Sequence, residues 1–78
     1  MKRTRKSEVP EVVKQLGIKI KDTIEANQLK QREVAHDAGL DVENLRKYIK
    51  GSQEMKISTF FKIAQSLKVD PSDLIKDL

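Results

Sequence analysis

Apolar residues at Val9, Val12, Val13, Leu16, Ile20 and Ile24 recur every three or four positions, with Lys14, Lys19, Lys21 and Asp22 between them. That spacing is the period of one helix face and predicts a first helix over about 9–26. A second, shorter helix is predicted over 31–38, where Val34, Ala35 and Ala38 share a face, and a third over about 42–50, with Leu45, Tyr48 and Ile49 on one side. A fourth, over 58–67, is expected to bury Phe60, Phe61, Ala64 and Leu67 as an aromatic layer, with Ile57 just before it and Ile63 on its flank. A fifth, over 71–77, presents Leu74, Ile75 and Leu78. No strand-length segment alternates with period two, so the pattern reads as all-α.

The residues between these faces supply starts and stops. Ser7 is placed as the N-cap of the first helix, Glu8 and Glu11 lie where the helix dipole favours acids, and Pro10 is compatible with a first turn. Asn27 and Gln28 end that helix, and Gly39 stands where a left-handed residue closes the second. Asp41 has the short acceptor side chain of an N-cap and opens the third helix, which Gly51 stops. Asp70-Pro71-Ser72-Asp73 combines an Asp cap, a proline at the first helical position and a second acid at the third.

Composition narrows what such a helix set can do. Seventy-eight residues make one small domain, and a multidomain enzyme is excluded. Without cysteine there is neither a disulfide framework nor a thiolate metal site, so stability has to come from helix packing. No apolar run is long enough to span a bilayer, and the basic start is not followed by the apolar run of a signal peptide; a cytoplasmic location is expected. The net charge of +4 is unevenly placed. Lys2, Arg3, Arg5 and Lys6 form a basic arm over 1–8, while the rest of the chain is balanced. Such an arm either lies along phosphates or a minor groove, or is a solvated end; composition leaves both open.

The second and third helices, joined by a tight turn containing Gly39, have the layout that places one helix in the major groove of DNA while the other crosses the backbone. Plain αα-corners share that layout. The whole pattern is more specific: Gly17, Ile20, Leu29, Gln31, Val34, Ala35, Ala38, Gly39, Leu45, Gly51, Ile57, Phe60, Phe61, Ile63, Ala64, Leu67, Val69 and Leu74 stand in register. This set resembles the Cro and phage-repressor helix-turn-helix family, also called the xenobiotic-response-element family, along about 16–75. The resemblance implies a compact five-helix bundle of the lambda-repressor-like DNA-binding type over 9–78. It also implies a homodimer on a palindromic operator of double-stranded DNA, acting as a transcriptional regulator, most simply a repressor, without a cofactor or metal.

Carried over residue by residue, the resemblance implies phosphate contact by Gln31 and by the loop residues Lys50, Ser52 and Gln53, and base contact by Asp41, Val42, Glu43 and Lys47. A helical wheel supports part of this independently. With Leu45 and Ile49 turned inward, Glu43, Arg46, Lys47 and Lys50 cluster on the outward face. Arg46 and Lys47 can donate to guanine O6 and N7, Glu43 can accept from cytosine N4, and Val42 can touch a thymine methyl. The plainer alternative makes Glu43 and Lys47 an i,i+4 ion pair on a solvated helix. Arg3 and Arg5 of the arm join the expected phosphate contacts.

The chain departs from the family pattern in places. Where members often bury an Arg from the first helix against a Glu of the recognition helix, this sequence has Ile24 and Ile49, both apolar, a paired replacement that is often neutral or stabilising. The usual Ser or Thr cap before the second helix is Lys30, which cannot accept a backbone hydrogen bond but can reach a phosphate. Asp41 and Glu43 put negative charge at the end of the third helix that approaches DNA.

Among competing classes, an enzyme finds little support: His36 is the sole histidine and has no Cys or second His to join it in a metal site or nucleophile pair. The stronger alternative is an antitoxin, restriction-modification controller or adaptor that acts with a protein partner through the same scaffold. Ile63, Leu74, Ile75 and Leu78 either form a two-fold contact or complete the monomer core. A dimer would set its recognition helices roughly 34 Å apart.

Overall fold

The computed structural model describes residues 9–78, which contain five helices and no strand: α1 (Glu11–Ala26), α2 (Gln31–Asp37), α3 (Val42–Lys50), α4 (Ile57–Leu67) and α5 (Pro71–Ile75). α1 packs against α3 on one side and α5 on the other, α2 bridges α3 and α4, and α4 meets α5. The all-α architecture expected from the apolar spacing is therefore present.

The core between these helices consists of Ile20, Ile24, Val34, Ala35, Ala38, Leu45, Tyr48, Phe60, Ile63, Ala64, Leu67 and Leu74, and among the described residues no charged side chain is buried. Each of the larger ones contributes roughly 1.5–3 kcal/mol by leaving water. Small residues set the close approaches. Ala35 and Ala38 are buried on α2, and Gly17 of α1 lies against the last turn of α3. Ile24 is buried and Ile49 packs at the edge of the same core, so apolar packing stands where the family pattern has an ion pair.

Four helices end in the same way. After α1, α2, α3 and α4, the residues Gln28, Gly39, Gly51 and Lys68 are left-handed, with φ of 56°, 71°, 73° and 59°. In each case the left-handed residue's N–H donates three residues back: Gln28 to Glu25, Gly39 to His36, Gly51 to Tyr48 and Lys68 to Gln65. The next residue's N–H donates five back: Leu29 to Ile24, Leu40 to Ala35, Ser52 to Lys47 and Val69 to Ala64. This paired arrangement satisfies the last carbonyls of each helix. Leu29, Leu40 and Val69 then fold their side chains onto the core, whereas Ser52 after α3 stays exposed.

Several local expectations change. Pro10 sits at the N-cap position with φ −57° and ψ 148°, so α1 begins one residue after it; Ser7 and Glu8 lie outside the described residues. Asp41 has extended backbone and its carbonyl accepts from Leu45 N–H, but its carboxylate makes no cap hydrogen bond. Among the described residues only Asp70 caps with its side chain, accepting from the Ser72 N–H at 2.9 Å and hydroxyl at 2.8 Å. α4 starts at Ile57, and α5 ends at Ile75 rather than 77.

The apolar face of α4 is also rotated from the expectation. Ile63 is fully buried at the centre of the face, and Phe61 is half exposed on the outer side, its ring centroid 5.5 Å from that of Phe60. α2 and α5 cover the arc from Phe60 through Ile63 to Leu67 and leave Ile57 and Phe61 outside it. Ile63 and Leu74 complete the monomer core, which leaves Ile75 and Leu78 as the exposed members of the expected C-terminal apolar set.

Candidate nucleic-acid interface

α3 is held by few anchors. Leu45 and Tyr48 are buried, Val42 and Ile49 pack partly against the core, and the other five residues of the helix face solvent. Its C-terminal turn rests on α1 through backbone: a Cβ on Gly17 would meet the Tyr48 and Ile49 carbonyl oxygens at 2.5 Å each. Gly51 likewise comes against the backbone of Lys14, where a Cβ would stand 2.7 Å from Lys14 Cα. α3 therefore approaches α1 more closely than any side chain would permit, and its outward face is presented by fixed backbone.

On that face Glu43, Arg46, Lys47 and Lys50 are all exposed, as the wheel predicts, together with Asp41 at the leading end. The ion pair on the helix is not the i,i+4 pair of Glu43 with Lys47. Arg46 Nη1 instead lies 3.4 Å from Glu43 Oε2, an i,i+3 pair. Arg46 Nε also donates to Gln31 Oε1 at 3.4 Å, linking the third helix to the first residue of the second. Lys30, Gln31, Arg32, Glu33 and Arg46 line an open depression between α2 and α3 in which three cations face one acid.

Lys30 occupies the N-cap position of α2 with extended backbone and, lacking an acceptor, makes no cap hydrogen bond. Gln31 is half-buried beside it. After α3, Ser52 is engaged twice by the Lys47 carbonyl, donating its N–H at 3.0 Å and its hydroxyl at 3.2 Å. Lys50, Ser52 and Gln53 are exposed at the end of α3, next to its outward face. Arg3 and Arg5 lie outside the described residues.

Two neighbours of these residues carry no mark in the sequence pattern. Asn44 is exposed on the flank of α3 opposite Arg46, and its amide could read adenine. Arg32 shares the depression with Gln31 and Arg46. On a wheel centred between Leu45 and Ile49, Asn44 lies roughly 120° from the inward direction, outside the core; Arg32 stands out only once α2 and α3 are brought together.

This geometry is that of a helix-turn-helix with its second helix free to enter a groove. The chain is similar in structure to the restriction-modification controller protein C.AhdI from Aeromonas hydrophila, with TM-score 0.77 and 23% identity over 82% of this chain and 96% of that one. It is similar also to the clp gene regulator ClgR from C. glutamicum, with TM-score 0.80 and 17% identity over 83% of this chain and 84% of that one. A third similar structure is the HTH_3 family transcriptional regulator from Vibrio cholerae, with TM-score 0.77 and 22% identity over 82% of this chain and 36% of that one. No curated protein matches the chain by sequence. The model of the Cro/C1-type HTH DNA-binding domain matches residues 19–77, from the middle of α1 through α5. The chain belongs to the family of Cro/C1-type helix-turn-helix DNA-binding domains.

Proposed function

We propose that this protein is a sequence-specific, cytoplasmic transcriptional regulator, acting as a repressor, that binds a palindromic operator as a homodimer with α3 in the major groove. The observation that carries this reading is the outward face of α3. Glu43, Arg46, Lys47 and Lys50 are held clear of the core by Leu45 and Tyr48, beside the cationic depression of Lys30, Arg32 and Arg46. In this arrangement Arg46, Lys47 and Asn44 read base edges, Val42 and Asp41 stand at the leading end, and Lys30, Gln31, Arg32, Lys50, Ser52 and Gln53 hold phosphates. Arg3 and Arg5 add phosphate contacts from the arm.

Dimerisation is supported by an apolar strip on the opposite elements. Ile57 and Phe61 are exposed one turn apart on α4, Pro71 and Ile75 are one turn apart on α5, and Phe61, Gln65, Val69 and Pro71 line one shallow depression. Large apolar side chains gathered on one face suit a self-complementary two-fold contact.

The experiment is selection of bound sites from random duplex DNA near physiological salt, with mass measured by light scattering on the same sample. An inverted repeat recovered by a dimer is the expected result. Salt-sensitive binding without any enriched site overturns sequence-specific regulation and favours an adaptor or antitoxin whose partner supplies specificity.

A further inference from the structure

We infer that Arg46 is the guanine-reading, specificity-determining side chain of this interface and that Glu43 is a positioning residue which holds the Arg46 guanidinium across the α2–α3 cleft, rather than a reader of cytosine. The inference rests on α3 being the recognition helix. Three observations carry it. Arg46 Nη1 pairs with Glu43 Oε2 and Arg46 Nε with Gln31 Oε1, so one guanidinium spans two helices. Of the five guanidinium N–H donors those partners use one on Nε and one on Nη1, and three remain, both of Nη2 among them, for guanine O6 and N7. The pair is also well exposed, with side-chain accessibilities of 46% for Arg46 and 72% for Glu43, so it adds little to folding and its loss leaves the scaffold intact.

A long cationic side chain that is free in solution must be ordered when it meets a base. One already tethered at Nε and Nη1 has lost part of that freedom beforehand, which is the benefit of preorganisation. Glu43 also offsets one positive charge at the tip of α3, so it lowers attraction to random phosphate while aiming the arginine at a base. The two effects of a single carboxylate predict opposite changes in non-specific and specific binding when it is neutralised.

The test is a double-mutant cycle read by base preference. The Arg46→Ala variant should relax preference at one guanine position of the selected site by about 5- to 150-fold. Glu43→Gln should relax that same position by about two- to five-fold and raise affinity for random DNA. The double variant should match Arg46→Ala at that position, and Arg46→Lys should keep affinity for random DNA but weaken the guanine preference, because an ammonium can reach guanine but lacks the planar fork that Glu43 and Gln31 orient. Unchanged thermal unfolding of each variant shows that the readout concerns recognition. Relaxation by Glu43→Gln at a different position, effects that simply add, or unchanged preference in Arg46→Ala overturns the inference while leaving the regulator reading standing. Failure of the parent protein to select any site overturns both.

Discussion

Gly17 lies against the carbonyl oxygens of Tyr48 and Ile49, so close that a methyl group at this position would stand 2.5 Å from each. Both are backbone atoms and cannot rotate away, so α3 itself would have to move. Gly17→Ala is expected to destabilise the fold by about 1–3 kcal/mol, the usual cost of overpacking, despite the better helix propensity of alanine. Urea unfolding would show this as a lower midpoint with an unchanged slope. Retained stability would mean that α3 can shift at little cost, and DNA affinity should then fall instead.

Left-handed geometry at Lys68 gives a prediction of the opposite sign. Lys68 is exposed and closes α4 at φ 59°, a conformation that glycine adopts without steric cost. Lys68→Gly should raise stability by about 0.5–1 kcal/mol, after the entropy of a freer unfolded chain is set against the relieved strain. In a domain of this size that is a rise of about 2–8 °C in Tm. Gly39→Ala should do the reverse by about 1 kcal/mol, although nothing lies within 4 Å of the new methyl, because the backbone there has φ 71°.

Asp70 links stability to acid. Hydrogen bonds from the Ser72 backbone N–H and hydroxyl hold its carboxyl below the ordinary carboxylate value. A group whose pKa is depressed on folding stabilises above its unfolded pKa, and that stability is lost as pH falls through the folded one. Thermal unfolding between pH 6 and pH 2 should therefore lose less stability in Asp70→Asn than in the parent. Identical pH profiles would show that the cap is indifferent to charge.

Phe61 tests the dimer. Replacing this half-exposed ring by Glu places a charge in the middle of the apolar strip beside Ile57 and Pro71. Sedimentation velocity should show the parent as a dimer and Phe61→Glu as a folded monomer, less stable by about 1–2 kcal/mol through the lost contact with Phe60. A parent that stays monomeric at high concentration removes the two-fold contact from the proposal.

Lys47 and Lys50 share one face of α3 but should fail differently. Lys47→Ala should change the preferred base at one position, worth roughly 1–3 kcal/mol of discrimination. Lys50→Ala, and Arg3→Ala with Arg5→Ala in the arm, should weaken binding to all sequences and reduce the slope of log affinity against log salt by about 1 per lost phosphate contact. Binding isotherms at several salt concentrations separate the two outcomes.

The sequence shows some of this fold plainly and some of it not at all. Gly39 and Gly51 mark helix ends because glycine is the residue that left-handed backbone favours. Gln28 and Lys68 adopt the same conformation without that mark, and the better clue was the apolar residue after each, Leu29 and Val69, tucked back onto the core. On α4 the apolar positions 57, 60, 61, 63, 64 and 67 cover too wide an arc for periodicity to say which edge is covered. The placement of α2 and α5 decides that, and it buries Ile63 while leaving Phe61 outside. The outward residues of α3 follow from Leu45, Tyr48 and Ile49 being turned inward. The contact of Arg46 with Gln31 joins residues 15 apart across a turn, and no helical wheel contains it.

Because α3 is seated by Leu45, Tyr48 and a glycine-backed backbone contact, the exposed residues at 43, 44, 46 and 47 take no part in holding it in place. Exchanges at 43, 44, 46 and 47 leave the core untouched, so new operator preferences are open to evolution or to engineering in single steps, each tested by selection against a scaffold that stays folded.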